Sequence, residues 1–279
     1  MDLYTSVSRR VAREVIGAYS TSFGIASRLF SPDIKSPISD IYALVRIADE
    51  IVDTYTGEHA RQYLDELEQE VLRANSSGYS SNLVVHAFAA TAREFHIDHQ
   101  LISPFFASMR MDLEPVTKYD QESYARYIYG SAEVVGLMCL NVFVPDADRY
   151  LELEPGARAL GAAFQKINFL RDMADDYHRL HRFYFPNCTF DLFDDTALRT
   201  VVTDIESDLV TARHACRQLP RSSQYAVGLA LRYFELLLIQ LAQCPVSLIK
   251  QQRVRVSSGR KLLLYLQLTA RQYSGVPAV

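Results

Sequence analysis

Apolar residues recur at helical spacing along almost the whole chain, and few helix-breaking residues interrupt them. Only 11 glycines and 10 prolines occur among the 279 residues, which leaves room for long helices. In the first segment, Val7, Val11, Val15 and Ala18 recur close to the helical period. We find no run with the alternation typical of a strand. The sequence therefore predicts an all-α helical bundle.

Turn-forming residues divide this pattern into segments. Clusters of serine, proline, asparagine and glycine mark the breaks, for example at residues 31–33 and 75–78. The predicted helices cover residues 3–19, 37–54, 59–74, 83–95, 102–113, 123–144, 154–177, 196–218, 225–244 and 259–272. Since no linker interrupts the series, we expect one domain over residues 1–279.

Composition and charge exclude several classes of protein. The apolar fraction of 49% is ordinary for a globular chain and argues against disorder. A formal charge of −4 argues against nucleic acid as the main partner. The four cysteines are scattered without a Cys-x-x-Cys pair, so we expect neither a zinc site nor a disulfide framework.

Hydropathy and the first residues predict the compartment. The apolar stretch 225–249 is interrupted by Arg232, Glu235 and Pro245, so we predict no membrane span. The first residues lack the basic start and apolar run of a signal peptide. Together with the scattered cysteines, these features lead us to expect a reducing cytoplasmic location.

Two distant segments end in the same Asp-x-x-x-Asp pattern. One contains Asp49 and Asp53, and the other contains Asp172 and Asp176. Residues four apart stack on one face of a helix, so each pair presents two carboxylates together. Mg²⁺ prefers oxygen ligands and is often held by one or two carboxylates plus substrate phosphates. Two such pairs facing each other across a bundle predict a site for a metal-bound diphosphate.

Polar partners accompany both pairs of aspartates. Tyr42 and Arg46 fall within about 60° of the first pair around the helix. Gln165 and Asn168 accompany the second pair, and Arg46 and Arg171 have the planar fork that suits phosphate. A polar stripe ordinarily faces water. The absence of lysines four residues away, which would relieve the repulsion between carboxylates, favours a binding site instead.

These motifs resemble the squalene/phytoene synthases, which couple two isoprenoid diphosphates head to head. The resemblance runs in order over most of the chain. The second motif, with Asn168, Arg171 and Asp172 at their spacing, is its most specific part. Further similar segments are residues 20–23, 111–113, 127–136, 182–186, 253–256 and 260–262.

The resemblance implies a fold and a set of roles. The fold is the isoprenoid synthase helical bundle with a central apolar cavity. The implied ligands of Mg²⁺, for which Mn²⁺ can substitute, are Asp49, Asp53, Asn168, Asp172 and Asp176. The implied catalytic residues are Asp49, Asp53, Asp172, Asp176 and Tyr129. The implied diphosphate contacts are Ser20, Ser22, Tyr42, Arg46, Gln165, Asn168, Arg171, Arg182 and Arg253.

The reaction implied by the resemblance is Mg²⁺-dependent condensation of two geranylgeranyl diphosphates to phytoene, through a cyclopropylcarbinyl intermediate, with release of diphosphate. The small Ser27, about one turn after Phe23, favours the longer prenyl chain. The alternative within the family joins two farnesyl diphosphates to squalene or dehydrosqualene, and only squalene requires NADPH. A different class is a non-catalytic prenyl-lipid-binding or assembly protein, in which lost aspartates would be expected; this chain keeps all four.

Several positions depart from the family pattern. They are Glu50 after Asp49, Glu133 in a central helix, His181 before Arg182, and Leu236, with Tyr233 nearby, where a tyrosine is common. We expect these departures to bear on the second half-reaction or the product rather than on diphosphate binding.

A basic run near the end of the chain has three interpretations. It comprises Lys250, Arg253, Arg255, Arg260 and Lys261. These residues form a solvated face, capture diphosphate, or contact an anionic membrane. Because the implied product is a lipid, peripheral contact with the inner membrane surface is a reasonable hypothesis. The sequence predicts no particular oligomeric state.

Overall fold

The computed structural model describes residues 2–55, 57–114, 119–274, 276 and 278, and of residues 21 and 22 only the backbone. Within these residues the chain is helical and contains no strand, which confirms the predicted all-α class. The helices are α1 (Leu3–Tyr19), α2 (Thr21–Ala26), α3 (Pro32–Asp53), α4 (Ala60–Ser77), α5 (Leu83–Glu94), α6 (His99–Met111), α7 (Gln121–Ile128), α8 (Val134–Phe143), α9 (Ala147–Leu180), α10 (Asp195–Cys216), α11 (Arg221–Gln243), α12 (Val246–Ile249) and α13 (Ser258–Ser274).

Side-chain caps fix where many of these helices begin. The Asn82 carboxamide oxygen accepts from the backbone N–H groups of Val84 and Val85 at the start of α5. Asp146 and Asp194 cap α9 and α10 in the same way. Each such cap contributes about 1 kcal/mol, because it pairs backbone donors that a helix end leaves unsatisfied. These starts lie within a few residues of the predicted ones, except that of α9.

The start of α3 differs from the predicted start at residue 37. Pro32 occupies the first turn, where the N–H that proline lacks would be unpaired in any helix. Pro37 lies inside the helix, as Pro104 does in α6 and Pro155 in α9. An internal proline removes one backbone hydrogen bond. The packing of these helices outweighs that loss, so the proline signal at residue 37 was wrong as a boundary.

Two large apolar clusters form most of the core. One contains residues of α9, α10 and α11, including Ile167, Ile205 and Leu237. The other contains residues of α3 to α6 and α8, including Leu44 and Phe106. The cavity described below lies between these clusters and is lined by side chains from both.

Helix α11, Arg221–Gln243, is long and apolar enough to cross a membrane by length and composition, although we predicted no such segment. Its most apolar window is 56% buried inside the protein. Leu231, Leu237 and Leu241 are buried in the cluster with α9 and α10. These contacts explain the hydropathy of α11 as that of a core helix.

Small residues near the centre allow helices to approach closely. Residues 129–133 form a π-helical turn between α7 and α8. A Cβ on Gly130 in this turn would lie 2.2 Å from the backbone oxygen of Pro104, and a Cβ on Gly136 would lie 2.6 Å from that of Ala157. Both glycines are therefore needed for close packing of these helices.

We predict that Gly130→Ala lowers the free energy of unfolding by about 1–3 kcal/mol, because the new methyl group meets a backbone carbonyl that cannot move aside cheaply. The matched control is Gly17→Ala in α1, where a Cβ meets no atom within 4 Å. That change is expected to raise the free energy of unfolding by about 0.5–1 kcal/mol. Urea denaturation measures both, and equal stability of the two variants would contradict the close approach.

Candidate active site

An apolar cavity of about 310 Å³ lies between the two core clusters. This volume is within the usual range for ligand pockets, about 300–1,000 Å³. Most of the lining is aliphatic or aromatic, with Phe30 and Phe143 on one side and Phe164 on another. Tyr42, Gln165 and Asn168 add polar atoms, and they also line the cavity.

The helical repeat places the aspartates directly beyond the cavity. On α3, Val45 lines the cavity, and Asp49 and Asp53 follow at one and two turns further along. On α9, Asn168 lines the cavity, and Asp172 and Asp176 follow at the same spacing. Each turn rises about 5.4 Å. Both helices therefore carry their carboxylates past the same end of the cavity, towards their own C-termini.

Arginines neutralise the carboxylates of α3. Arg46 donates from Nη1 to Asp49 Oδ2 at 2.5 Å and also bonds Glu50. Arg182, which follows α9, donates to Asp53 Oδ1 at 2.6 Å and to the carbonyl oxygen of Val52 at 2.9 Å. The second contact connects the end of α9 to the C-terminus of α3. A cation is favourable there because the helix dipole concentrates negative charge at that end.

Two further arginines contact the carboxylate of Asp172. Arg171 donates from Nε to Asp172 Oδ1 at 3.0 Å. Arg253 comes from the segment before α13, and its Nε lies 2.8 Å from the same oxygen. The structure thus brings Arg46, Arg171, Arg182 and Arg253 to the acidic end of the cavity from three distant parts of the sequence.

Asp112 is a buried member of this acidic group to which we had assigned no role. Its side chain is 4% exposed. It accepts from the hydroxyl of Tyr127 at 2.7 Å and from that of Tyr184 at 2.9 Å, and Arg182 Nη1 lies 3.8 Å away. No periodic signal identifies Asp112, because it directly follows the last residue of α6.

Tyr129, predicted to be catalytic, lies elsewhere. Its ring packs against Arg158, whose guanidinium carbon is 5.3 Å from the ring centroid. Arg158 precedes Asp172 by 14 residues on α9, a rise of about 21 Å. The structure therefore does not bring Tyr129 to the aspartates. Tyr127, two residues earlier, reaches them through Asp112.

Other predicted residues lie close to the cavity. Ser20, implied as a diphosphate contact, caps α2, where its hydroxyl oxygen accepts from the N–H of Phe23 at 3.0 Å. The side chain of Ser22 lies outside the described part of the chain. Tyr42 and Gln165 line the cavity as described above.

Burial and crowding raise the pKa values of three of these carboxyl groups. Burial and the neighbouring Asp53 raise the pKa of Asp49 to about 7. Burial, Asp172 and Asp53 raise the pKa of Asp176 to about 8. Burial raises the pKa of Asp112 to about 6, against the opposing effect of Arg182. The mutual effects of these groups indicate that the two motifs, joined by Asp112, share one electrostatic site.

The donor set fits a hard divalent cation in its chemistry. The aspartates offer carboxylate oxygens, and Asn168 Oδ1 is buried without a hydrogen-bond partner. An uncompensated buried oxygen is costly unless it binds a donor, water or an ion. Among the described residues, no three His, Cys, Asp or Glu side chains are grouped closely enough to hold an ion as they stand. Arginine contacts occupy Asp49, Asp53 and Asp172 instead.

Two of the departures from the family pattern have local explanations. Glu133 accepts from Arg158 Nε at 2.6 Å, so it is a satisfied polar group. His181 ends α9 with a left-handed backbone (φ 56°), which accounts for a preference for glycine there. The ring of Tyr233 makes a cation–π contact with Lys261, whose Nζ is 4.9 Å from the ring centroid.

Comparison with known proteins identifies related sequences. The family model for squalene/phytoene synthase matches residues 16–260. Phytoene synthase 3 of Zea mays is 31% identical over 176 residues, which are 62% of this chain and 41% of that protein. The 4,4'-diapophytoene synthase of Staphylococcus haemolyticus is 26% identical over 200 residues, which are 70% of this chain and 68% of that protein. The match thus spans less than half of the maize protein.

Solved structures have the same fold. Squalene synthase HpnC from Alicyclobacillus acidocaldarius superposes with a TM-score of 0.75 at 19% identity, over 86% of this chain and 95% of that one. A dehydrosqualene synthase in complex with ligand gives a TM-score of 0.72 at 20% identity, over 97% of this chain and 98% of that one. These similarities confirm the predicted helical-bundle fold.

We predict that Asp176→Asn weakens Mn²⁺ binding, measured by calorimetry with diphosphate present, by at least about tenfold. Wild-type affinity is expected to rise with pH up to about 8, because the raised pKa means that Asp176 must first lose its proton. The control is Asp175→Asn, an exposed neighbour about 100° around α9 from Asp176, which should bind Mn²⁺ normally. Unchanged binding in Asp176→Asn would contradict the donor set.

Proposed function

This chain belongs to the squalene/phytoene synthase family, and we propose that it is a Mg²⁺-dependent prenyltransferase that condenses two prenyl diphosphates head to head. We propose further that both substrates are geranylgeranyl diphosphate and that the product is phytoene, a step of carotenoid biosynthesis. The observation that carries the proposal is the convergence of both aspartate motifs at the polar end of an apolar cavity.

The arginines at this end suit diphosphate. Arg46, Arg171, Arg182 and Arg253 each contact an aspartate, and a guanidinium binds phosphate oxygens as well as it binds carboxylates. A diphosphate therefore competes for these arginines and frees carboxylate oxygens of Asp49, Asp53 and Asp172. Substrate binding and the assembly of a metal site are coupled by this exchange.

The residues proposed to hold Mg²⁺ are Asp49, Asp53, Asn168, Asp172 and Asp176. The chemistry that Mg²⁺ supplies when bound is neutralisation of the charge on the departing diphosphate. Arg46 and Arg171 orient the diphosphate from opposite motifs, so the prenyl chain points along α3 and α9 into the cavity. Tyr127 and Tyr184 hold Asp112 in place by hydrogen bonds, which keeps a further negative charge beside the cations.

The cavity protects the reacting carbon chain from water. Its lining beyond Tyr42, Gln165 and Asn168 is mostly apolar, with aromatic side chains such as Phe23 and Phe164. Exclusion of water prevents capture of an allylic cation and strengthens the electrostatic interactions of the site. The same apolar surface would bind the prenyl chains of both substrates.

The longer substrate is supported by Ser27. This small residue lines the cavity and is 4% exposed. An alternative is that two farnesyl diphosphates give dehydrosqualene or, with NADPH, squalene. The match to the diapophytoene synthase of S. haemolyticus, which covers 70% of this chain, favours that alternative.

Incubation with geranylgeranyl or farnesyl diphosphate, each with and without NADPH, tests the proposal when the extract is analysed by mass spectrometry. We predict phytoene from geranylgeranyl diphosphate without NADPH. Asp49→Ala and Asp172→Ala should each lower turnover at least about a hundredfold while helicity is retained, because charge stabilisation of this kind is worth several kcal/mol.

Asp175→Ala is the matched control and should leave turnover unchanged, since Asp175 is exposed. Full activity of Asp172→Ala would contradict the metal-binding role. Binding of both diphosphates without any product would identify the chain as a non-catalytic prenyl-lipid-binding protein. If only farnesyl diphosphate gives a product, the chain is a dehydrosqualene or squalene synthase rather than a phytoene synthase.

We predict that Ser27→Phe lowers turnover of geranylgeranyl diphosphate by about tenfold or more and spares farnesyl diphosphate, because a ring at this position occupies cavity volume that the longer chain requires. Ser27→Ala is the control, since it removes only the hydrogen bond from Ser27 to the carbonyl oxygen of Gly24 (2.9 Å). A competition experiment with both substrates, in which both products are quantified, measures the ratio of geranylgeranyl to farnesyl diphosphate turnover. An unaltered ratio in Ser27→Phe would show that chain length is set elsewhere.

A further inference from the structure

The last helix, α13, presents an apolar stripe to solvent. Leu262, Leu263 and Leu266 are each more than half exposed, and Tyr273 is 90% exposed. A helix advances about 100° per residue, which places these four side chains within about 100° of arc. Leu268, on another face, is 3% exposed and packs into an apolar cluster with α2 and α11. The helix is therefore held to the protein by one face and is apolar on its outer face.

The same part of the sequence is strongly basic. After Glu235 there is no aspartate or glutamate, whereas six cationic residues occur, namely Lys250, Arg253, Arg255, Arg260, Lys261 and Arg271. The formal charge is therefore +6 for residues 236–279 and −10 for residues 1–235, which together give the total of −4. Charge separation of this kind is typical of chains that bind an anionic surface.

Basic side chains flank the stripe. Arg260 lies about 60° beyond Leu263 around the helix and is exposed. Arg255 is exposed in the segment that leads into α13. An apolar face bordered by arginine is the pattern of helices that lie in the interface of a bilayer.

Helix α13 also lies close to the cavity. Leu264, on its inner side, lines a small pocket together with Phe23, and Phe23 also lines the main cavity. Arg253, five residues before α13, contacts Asp172 in the acidic group. Helix α13 and the segment before it are thus close to both the apolar lining and the acidic group of the site.

We propose that α13 docks this protein on the surface of an anionic lipid bilayer. Leu262, Leu263 and Leu266 enter the boundary between headgroups and acyl chains, and Arg255 and Arg260 contact lipid phosphates. A second copy of the chain is disfavoured as the occupant, because self-association of this face would bring two segments of charge +6 together. Docking goes beyond the proposed function and does not require it.

Co-sedimentation of the full chain with vesicles tests the proposal without substrate, so its outcome is independent of catalysis. The vesicles contain phosphatidylcholine alone or phosphatidylcholine with phosphatidylglycerol. We expect tighter binding to the anionic vesicles. The double variant Leu263→Ser with Leu266→Ser should bind both kinds about tenfold more weakly, since it removes the apolar contribution. The control, Leu151→Ser with Leu192→Ser, removes two leucines that are 64% and 74% exposed elsewhere and should bind normally.

The charge contribution is tested separately. Arg255→Gln with Arg260→Gln should weaken binding to anionic vesicles about tenfold and leave binding to neutral vesicles unchanged. Arg199→Gln, at an exposed arginine of α10, is the control. Circular dichroism checks that every variant is folded.

Two outcomes would overturn the proposal. One is vesicle binding that the leucine and arginine variants do not weaken. The other is a dimer, observed by analytical ultracentrifugation, that the Leu263→Ser and Leu266→Ser variant converts to a monomer. In that case the stripe is an interface between copies of this chain rather than a bilayer contact.

Discussion

Repulsion between carboxylates at one end of the cavity is the interaction on which the rest of the site depends. Asp53 is the last residue of α3, and Asp176 lies in the final turns of α9, where the helix dipoles already concentrate negative charge. Such a group costs free energy unless cations compensate it. Arginines from three distant parts of the sequence provide this compensation. The same arginines that offset the charge of the aspartates would also bind the proposed diphosphate.

The apolar and polar halves of the site belong to the same two helices. On α9, Gln165 and Asn168 line the cavity, and the same stripe continues to Asp172 and Asp176. A stripe at helical spacing therefore runs from the cavity to the acidic group, and under the proposed function it sets the direction of the prenyl chain and the end that holds its diphosphate. The rigid packing of α9 against α10 and α11 fixes that direction.

Features that depend on nearby, periodically spaced residues could be predicted from the sequence. The helices and both aspartate motifs depend on residues three or four apart, so their periodicity reveals them. Tyr129 was implied by the family resemblance, whereas the residue that contacts the acidic group is Tyr127. Residues two apart lie about 200° apart on a helix, and the π-turn at 129–133 shifts the register by about one residue. Asp112 belongs to residues 111–113, which resemble the family, but its role could not be predicted, since only tertiary packing brings it to Tyr127 and Tyr184.

The segment before α13 connects the site to the basic surface within a few residues. Val256 is buried in the core, whereas its neighbour Arg255 is exposed. Arg253, two residues earlier, reaches Asp172. Because Val256 anchors this segment, Arg253 and Arg255 are held at a fixed separation, one at the rim of the acidic group and the other on the outer surface. If α13 docks on a bilayer as proposed, Arg255 contacts the lipid only two residues along the chain from Arg253, which contacts the acidic group proposed to bind diphosphate.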